Sequence, residues 1–278
     1  MSNYWAPTIS VVMAVHNANL SMTKASVSCI LNQTFKDIEF IIIDDINSKS
    51  IRDYLRYIKN QDTRLKIIHN SSNIGLTRSL VKGIGVAKGK YIARQDIDDI
   101  SLPERLEFQV KRMELDNSLV LLGTWYRFSL VKKIKTIIKM PDKDKVLKKK
   151  MLYTNPFCHS STMFRKDAYQ QVGGYNPRYL TTQDLDLWFR LSVTGKFGMV
   201  EHVLVDYGIH AKNLSRSSKA WVQVWNSFII RLKHCRKVGN RWDRWLVLPA
   251  AVYHIINTAL KPSQPGFFSN LFIKQRSI

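Results

Sequence analysis

Three aspartates fall within four positions of this sequence, at Asp96, Asp98 and Asp99. Carboxylates this close repel one another unless a positive charge lies between them. Hard divalent cations take such oxygen ligands, and Mg²⁺ commonly binds through one or two carboxylates together with the phosphates of a substrate. The alternative is a solvated turn before a helix start at residues 101–104, where acids are also favoured. The three acids alone leave a metal site and a polar turn equally open.

A fourth carboxylate, Asp184, lies at the start of a helical pattern over residues 181–191. An acid there interacts favourably with the helix dipole and is normally a cap. It could equally be a general base held rigidly beside a substrate hydroxyl. A later apolar strand pattern begins at Val203 and ends in His210.

The elements that would position these groups follow from continuous apolar runs. Four such runs lie at residues 9–15, 38–43, 65–68 and 91–93, and helix-compatible segments separate them. Short β-branched runs of this kind are typical of strands buried on both faces. Alternating strands and helices with short links predict a doubly wound, mostly parallel α/β sheet of Rossmann-like type.

Polar side chains follow these predicted strands where each one ends. In doubly wound sheets, ligands bind beyond the carboxyl ends of the strands. No Gly-x-Gly-x-x-Gly and no P-loop sequence is present, which argues against a dinucleotide dehydrogenase and a P-loop NTPase. The strand ends carry His16, Asn17, Asp44, Asp45, His69, Asn70 and the three aspartates of residues 96–99.

The charge of the chain points to an anionic partner. Lysine and arginine number 43 against 21 acidic residues, a net charge of +22. Nucleic acid, anionic lipid or a phosphorylated substrate would each fit. A nucleic-acid-binding protein is one alternative, although no helix-turn-helix, RNP-like or zinc-binding pattern supports it. The lysine-rich segment 132–150 favours a solvated surface, with a patch for lipid or pyrophosphate as the second interpretation.

The C-terminal part, residues 216–278, mixes tryptophans with basic residues at helical spacing. The pattern fits either a helix packed on the core or a helix at an anionic membrane surface. The apolar run at 245–256 is too short to cross a bilayer, and no signal peptide is visible. Three distant cysteines without a Cys-x-x-Cys pair indicate a reducing compartment. We therefore expect a cytoplasmic protein that binds peripherally to the inner face of the cytoplasmic membrane.

Several spaced motifs over about residues 7–215 resemble family 2 glycosyltransferases of the GT-A fold, of the bacterial polysaccharide type. They are Ile9-Ser-Val-Val-Met-Ala-Val-His-Asn17, Ile41-Ile-Ile-Asp-Asp45, Asn73-Ile-Gly-Leu76, residues 87–99, Asn155-Pro156 with His159, Gly173-Gly-Tyr175, and Gln183-Asp-Leu-Asp-Leu-Trp188. The resemblance implies a GT-A domain over residues 1–215. Its nucleotide-binding half is expected at about 7–116 and its acceptor half at about 117–215.

The resemblance also implies roles for individual residues. Asp184 would be the catalytic base, and Asp44 or Asp45 would accept a hydrogen bond from uracil. Mn²⁺ or Mg²⁺ is the implied cofactor. The remaining implied positions are Val15, His16 and Asn17 at the nucleotide, Arg78 at the donor, Asp96 near the ribose, Asp98 and Asp99 on the metal, and His210 at the metal or diphosphate.

The activity implied is transfer from a UDP-sugar, with UDP-glucose the best specific guess, to a polyprenyl-diphosphate-linked saccharide. The pathway would be O-antigen, lipopolysaccharide or capsule biosynthesis, with no nucleic acid as partner. One base and one metal predict inversion at the anomeric carbon, because a retaining covalent route needs a second, nucleophilic carboxylate. A non-catalytic nucleotide-binding relative is the other alternative. Ile46-Asn47-Ser48 replaces the usual Gly-Ser after the aspartate pair, and Ala14 and Val81 replace a common Pro and Asn.

Overall fold

The computed structural model describes residues 6–130, 134–208 and 220–238. The strands are β1 Ile9–Val15, β2 Ile38–Asp44, β3 Leu65–His69, β4 Tyr91–Arg94, β5 Ile100–Ser101, β6 Leu119–Leu130, β7 Ile134–Ile138, β8 Met163–Arg165 and β9 Lys196–Tyr207. The helices are α1 Leu20–Leu31, α2 Lys49–Gln61, α3 Leu76–Val86, α4 Arg105–Leu115, α5 Asp144–Lys150, α6 Lys166–Gln171, α7 Gln183–Leu191 and α8 Ala220–Val238. A single 3₁₀ turn lies at His159–Ser161.

These strands form one mixed sheet in the order β3-β2-β1-β4-β8-β6-β9-β5, with β7 paired to β6. The first four pair in parallel, as the alternating strand and helix pattern predicts. β8 runs antiparallel between β4 and β6, and β9 is parallel to β6. The predicted boundary at 116/117 falls between α4 and β6, and the sheet continues across it. The two predicted halves therefore share one sheet.

The sheet is strongly curled beside residues 96–99, which we call the acidic loop. Three strands separate β4 from β5 in the sheet order, which in a flat sheet is about 19 Å. Only six residue steps join Arg94 to Ile100, a reach of about 20 Å when fully extended. The loop also contains a turn, because the Asp99 N–H donates to the Asp96 carbonyl at 3.3 Å. The sheet must therefore bend round until β5 and β9 face the end of β4.

Apolar side chains pack on both faces of the sheet. β1 and β2 alternate between two core clusters, so that Val12 and Ile41 belong to one and Val11 and Ile42 to the other. Burial on both faces explains why these strands read as unbroken β-branched runs. α7 and α8 pack in the first cluster, on the side of β6.

The predicted C-terminal helix is present as α8, and the remaining tail from residue 239 lies outside the described residues. Within the part of the chain that the structure describes, no helix is both long and apolar enough to cross a membrane.

Candidate active site

The acidic loop leaves the end of β4 and contains three carboxylates in different surroundings. Asp96 is partly exposed and accepts a short hydrogen bond from Arg94. Burial opposes its ionisation, but the charge and hydrogen bond of Arg94 and the charge of Arg105 together outweigh burial, and the pKa of Asp96 lies below its usual value. Asp96 therefore stays charged at the mouth of the site.

Asp99 is fully buried, and both of its oxygens are engaged. It accepts hydrogen bonds from the Ser160 hydroxyl and, at 2.8 Å, from the Gly208 N–H. Burial, together with the nearby charges of Asp96 and Asp98, raises the pKa of Asp99 well above its usual value. These contacts tie the loop to the 3₁₀ turn and to the end of β9. Asp99 thus lies deeper than the partly exposed Asp98.

A buried arginine holds this end of the site together. Arg94 is completely buried and donates to the Val12 and Gln95 carbonyls, each at 2.7 Å. Its Nε donates to His159 Nε2 at 3.1 Å, and the Tyr175 hydroxyl lies 2.7 Å from the same nitrogen.

The arginine also fixes the protonation of its histidine neighbour. Burial, reinforced by the charge of Arg94, lowers the pKa of His159 to about 3. Because arginine only donates, His159 is neutral with its proton on Nδ1. That nitrogen lies 4.0 Å from the second oxygen of Asp96.

Asp184 lies in the first turn of α7, where the sequence predicts it. Its Oδ2 accepts a hydrogen bond of 2.6 Å from the Asn155 amide. Burial raises the pKa of Asp184, and hydrogen bonds from the Leu185 N–H and Asn155 oppose part of that effect. A carboxyl with a raised pKa is a stronger base than an exposed aspartate.

Asp184 and Asp96 face one cavity of about 390 Å³, a volume that suits a small ligand. Two tyrosines form part of its wall, with ring centroids 6.1 Å apart. Its lining residues are Asp96, Tyr126, Asn155, Phe157, Cys158, His159, Asp184 and Tyr207. The cavity joins the end of β4 to the second half of the chain.

The nucleotide-suited strand ends meet at the carboxyl edge of β1 and β2. Asp45 is buried and accepts from Asn70 and from the N–H groups of Ile74 and Gly75, each at 2.9 Å. Asp44 is also buried, with Asn47 at 2.5 Å and His69 at 2.8 Å. Both carboxylates therefore organise the loops around this edge.

Three neighbouring predicted residues differ in how they face this edge. His16 is exposed, with Nδ1 2.5 Å from the Asp45 carbonyl and Nε2 3.0 Å from the Asn73 amide. Asn17 is exposed with a φ of 44°. The Val15 side chain is fully buried in the core, so only its backbone reaches the edge. Its carbonyl accepts from Asn47 and from the Asp45 N–H.

Two further predicted residues stand apart from these contacts. Arg78 is exposed on the first turn of α3. His210 lies outside the described residues.

Ile46 takes a φ of 62°, a conformation that glycine adopts freely and a β-branched residue rarely does. This backbone suits the glycine that the family resemblance leads us to expect at this position.

The carboxylates of the acidic loop fit a divalent cation whose ligands come partly from the protein and partly from a substrate. Among the described residues, no three histidine, cysteine or acidic side chains cluster as a preformed metal cage. Mg²⁺ and Mn²⁺ need no such cage, because one or two carboxylates together with a diphosphate can complete the coordination. The partly exposed Asp98 and Asp96 are carboxylates of that kind.

Comparison with known proteins gives the family. The family model described as Glycosyl transferase family 2 matches residues 10–173, more than half of the chain. The chain is a family 2 glycosyltransferase. It is therefore a transferase, which favours the enzyme interpretation over the two alternatives.

Relatives with known sequences agree. The glycosyltransferase is 35% identical to an uncharacterized glycosyltransferase of Methanocaldococcus jannaschii over 87% of this chain and 85% of the relative. It is 34% identical to the O-antigen biosynthesis glycosyltransferase WbnJ of Escherichia coli over 77% and 85%. It is 29% identical to the putative glycosyltransferase EpsE of Bacillus subtilis over 97% and 94%.

Solved structures show the GT-A fold. S. aureus TarS 1–349 in complex with UDP superposes with a TM-score of 0.67 at 10% identity, covering 94% of this chain and 74% of that one. The mannosyltransferase PcManGT from Pyrobaculum calidifontis, solved with GDP-Man and Mn²⁺, gives 0.64 at 14% identity over 98% and 80%. The predicted fold class is therefore confirmed for the glycosyltransferase.

Sequence reasoning assigned no role to Arg94, Asn155 or His159. Asn155 and His159 belonged to a recognised motif, and Arg94 precedes the acidic loop by one residue. An arginine ending an apolar strand, next to acids, was the available signal, because a buried charge requires partners.

Proposed function

We propose that this glycosyltransferase is an inverting, metal-dependent enzyme. It moves a sugar from a UDP-sugar, with UDP-glucose the best specific guess, to a polyprenyl-diphosphate-linked saccharide. The pathway is O-antigen, lipopolysaccharide or capsule biosynthesis. One observation carries the proposal: Asp184 and Asp96, the first carboxylate of the acidic loop, face the same cavity.

Asp184 is the base in this proposal. The acceptor hydroxyl gives its proton to the Asp184 carboxylate as its oxygen attacks the anomeric carbon. The bond from that carbon to the donor diphosphate breaks, and UDP leaves with the electron pair. Attack opposite the leaving group inverts the anomeric configuration. The Asn155 hydrogen bond orients the Asp184 carboxylate toward the cavity.

Asp44 or Asp45 accepts a hydrogen bond from uracil in the proposed donor complex. His16, Asn17 and the Val15 backbone border the nucleotide. Arg78 contacts the donor, and Asp96 lies near the ribose. TarS was solved with UDP and with UDP-GlcNAc, which supports a sugar nucleotide as donor.

The proposed metal is Mn²⁺ or Mg²⁺, and Asp98 is its principal ligand. Asp99 and His210 are the further ligands, although the contacts of Asp99 with Ser160 and Gly208 also suit an anchor of the loop. When bound, the cation neutralises the charge of the departing diphosphate.

A lipid-linked acceptor would bring the enzyme to the cytoplasmic face of the membrane. The relation to the O-antigen glycosyltransferase WbnJ supports an acceptor of this type. The net charge of +22 supports contact with anionic lipid as well.

The test is a screen of UDP-sugars and GDP-mannose for Mn²⁺-dependent transfer to a synthetic lipid-diphosphate saccharide, with NMR of the product linkage. We expect one UDP-sugar to be used with inversion. Asp98→Ala should abolish transfer while the protein stays folded. Asp184→Asn should bind UDP normally and lose at least a hundredfold in kcat, as expected for a missing base.

A retained configuration in the product would refute the single-base mechanism. Full activity of Asp98→Ala would remove the metal assignment, and a fast Asp184→Asn enzyme would remove the base. Asp53→Asn, on the exposed surface of α2, is the matched control and should be fully active.

A further inference from the structure

Helix α8 has one face packed into the protein. Ile230 and Cys235 belong to the core cluster that also contains residues of α5 and α7. Arg231 Nε donates to the Met151 carbonyl at 2.9 Å, just after α5. His234 lies 3.3 Å from Asp186 of α7. α8 is therefore an integral layer of the catalytic domain.

The opposite face of α8 carries large apolar side chains that remain exposed. Trp221 is 50% exposed, Trp225 63%, Ile229 37% and Leu232 43%. Spacings of four, four and three residues keep these side chains on one side of a helix. We call this set the apolar stripe. A contiguous exposed stripe with two tryptophans marks an interaction surface.

Basic side chains continue the apolar stripe at its C-terminal end. Lys233, Arg236 and Lys237 are exposed, and the sequence of α8 contains no aspartate or glutamate. α5 packs beside α8 and exposes Lys145 and Lys149. The surface thus combines apolar rings with positive charge.

We propose that the apolar stripe and the basic residues beside it dock the protein on an anionic phospholipid bilayer. Tryptophan favours the interface between headgroups and acyl chains, and lysine and arginine there attract anionic headgroups. A second copy of this chain would instead bring two molecules of charge +22 together. The inference rests on the proposed function, because a bilayer is where a lipid-linked acceptor resides.

Docking through α8 would also orient the site. α8 contacts α7 through His234 and through Asn226, whose amide donates to Thr181 at 3.2 Å. Thr181 lies just before the first turn of α7, which carries Asp184. The element that touches the bilayer is thus bonded directly to the element that carries the base.

The test is cosedimentation of the full chain with vesicles of pure phosphatidylcholine or of phosphatidylcholine with one-third phosphatidylglycerol. We expect strong binding to the anionic vesicles alone. Trp221→Ser with Trp225→Ser should lower the partition coefficient more than tenfold. Lys233→Gln with Arg236→Gln should lower it roughly thirtyfold, at about 1 kcal/mol for each basic residue. The melting temperatures of these variants should not change.

Matched controls use exposed residues of other helices, Tyr57→Ser with Leu115→Ser and Arg52→Gln with Lys59→Gln. Equal losses in these controls would overturn the proposal, as would unchanged binding of the α8 variants. A dimer in lipid-free solution that the tryptophan variant abolishes would identify a second copy as the occupant instead. A lower melting temperature of that variant would identify the chain's own tail.

Vesicle binding is measured without any sugar substrate, so its outcome does not depend on the proposed transfer reaction. Conversely, transfer to a detergent-dispersed acceptor should survive in the α8 variants. A wild-type protein that transfers sugar but does not bind vesicles would contradict only the docking proposal. One that binds vesicles but does not transfer sugar would contradict only the proposed function.

Discussion

At the scale of single residues, the site depends on charged groups held by neutral partners. Among the described residues, Arg94 has two backbone carbonyls and the His159 ring as neutral partners, and its acidic partner is Asp96. His159 is neutral, so the positive charge near Asp96 comes from Arg94 and from the buried Arg105. Asp184, by contrast, has the amide of Asn155 as a side-chain partner. A base with a neutral partner keeps a raised pKa, whereas a salt bridge would lower it.

If Asp184 is the base, as proposed, the Asn155 amide affects the pH dependence of transfer. Its hydrogen bond lowers the pKa of Asp184 against the larger opposing effect of burial. Asn155→Ala should therefore raise that pKa further. Because the base works only when deprotonated, kcat/KM should begin to fall at a higher pH than in the wild type. A series of kcat/KM against pH measures the shift, and an unchanged acidic limb would contradict it. Asn60→Ala, on exposed α2, is the control.

At the scale of elements, a buried acid ties α7 to α8. Asp186 of α7 is buried and pairs with Arg190 within α7 and with His234 of α8. Burial opposes the ionisation of Asp186, but the bonds from His234 and Arg190 outweigh it, and the pKa lies below its usual value. The pairing therefore stabilises the folded state above the ordinary aspartate pKa of 3.8 and is lost as pH falls below it.

Breaking this pairing should destabilise the protein. Asp186→Ala leaves the partly buried Arg190 and the buried His234 without their acid, at a cost of about 3 kcal/mol at neutral pH. The acid sensitivity of unfolding should also flatten, because one depressed pKa is gone. Urea denaturation at neutral and acidic pH measures both effects. Asp53→Asn, with an exposed pair, should leave the stability nearly unchanged, and a loss there equal to that of Asp186→Ala would contradict the role of burial.

The parallel half of the sheet followed from the sequence because its strands are buried on both faces. Residues 9–15 and 38–43 are continuous apolar runs, and such runs predict buried strands from local sequence alone. The short strand β5 was not predicted, because two residues carry no periodicity and depend on a partner strand far along the chain. The site residues also differ in how far the sequence predicts them. The aspartates could be predicted from their positions at strand ends, whereas the role of Arg94 depends on His159, in a turn 65 residues away.

At the scale of the whole molecule, the proposed substrate site draws on both halves of one sheet. The strand ends of β1 and β2, the acidic loop and α7 belong to different stretches of the chain. A ligand that touches all of them binds the folded state only, and so stabilises it by mass action. Its effect on melting is accordingly a property of the entire chain.

UDP with Mn²⁺ should raise the melting temperature. At a hundred times the dissociation constant the stabilisation is about 2.7 kcal/mol, or roughly 5–10 °C for a protein of this size. UDP without metal should give a smaller rise, and Asp98→Ala should lose the metal-dependent part. Differential scanning fluorimetry measures each shift, with GDP as the nucleotide control. An equal rise with GDP would contradict uracil recognition.

The curl of the sheet has a consequence for the order of folding events. β5 follows β4 within six residues, yet its partner β9 lies about a hundred residues further along. Contacts of such long sequence separation form late. The acidic loop can adopt its final shape only after β8, β6 and β9 have assembled between its two ends. During refolding, the ability to bind nucleotide should therefore return after most of the secondary structure. We therefore expect the enzyme to become able to bind sugar nucleotide only late in folding. An incompletely folded chain would bind no sugar nucleotide and so could not hydrolyse it.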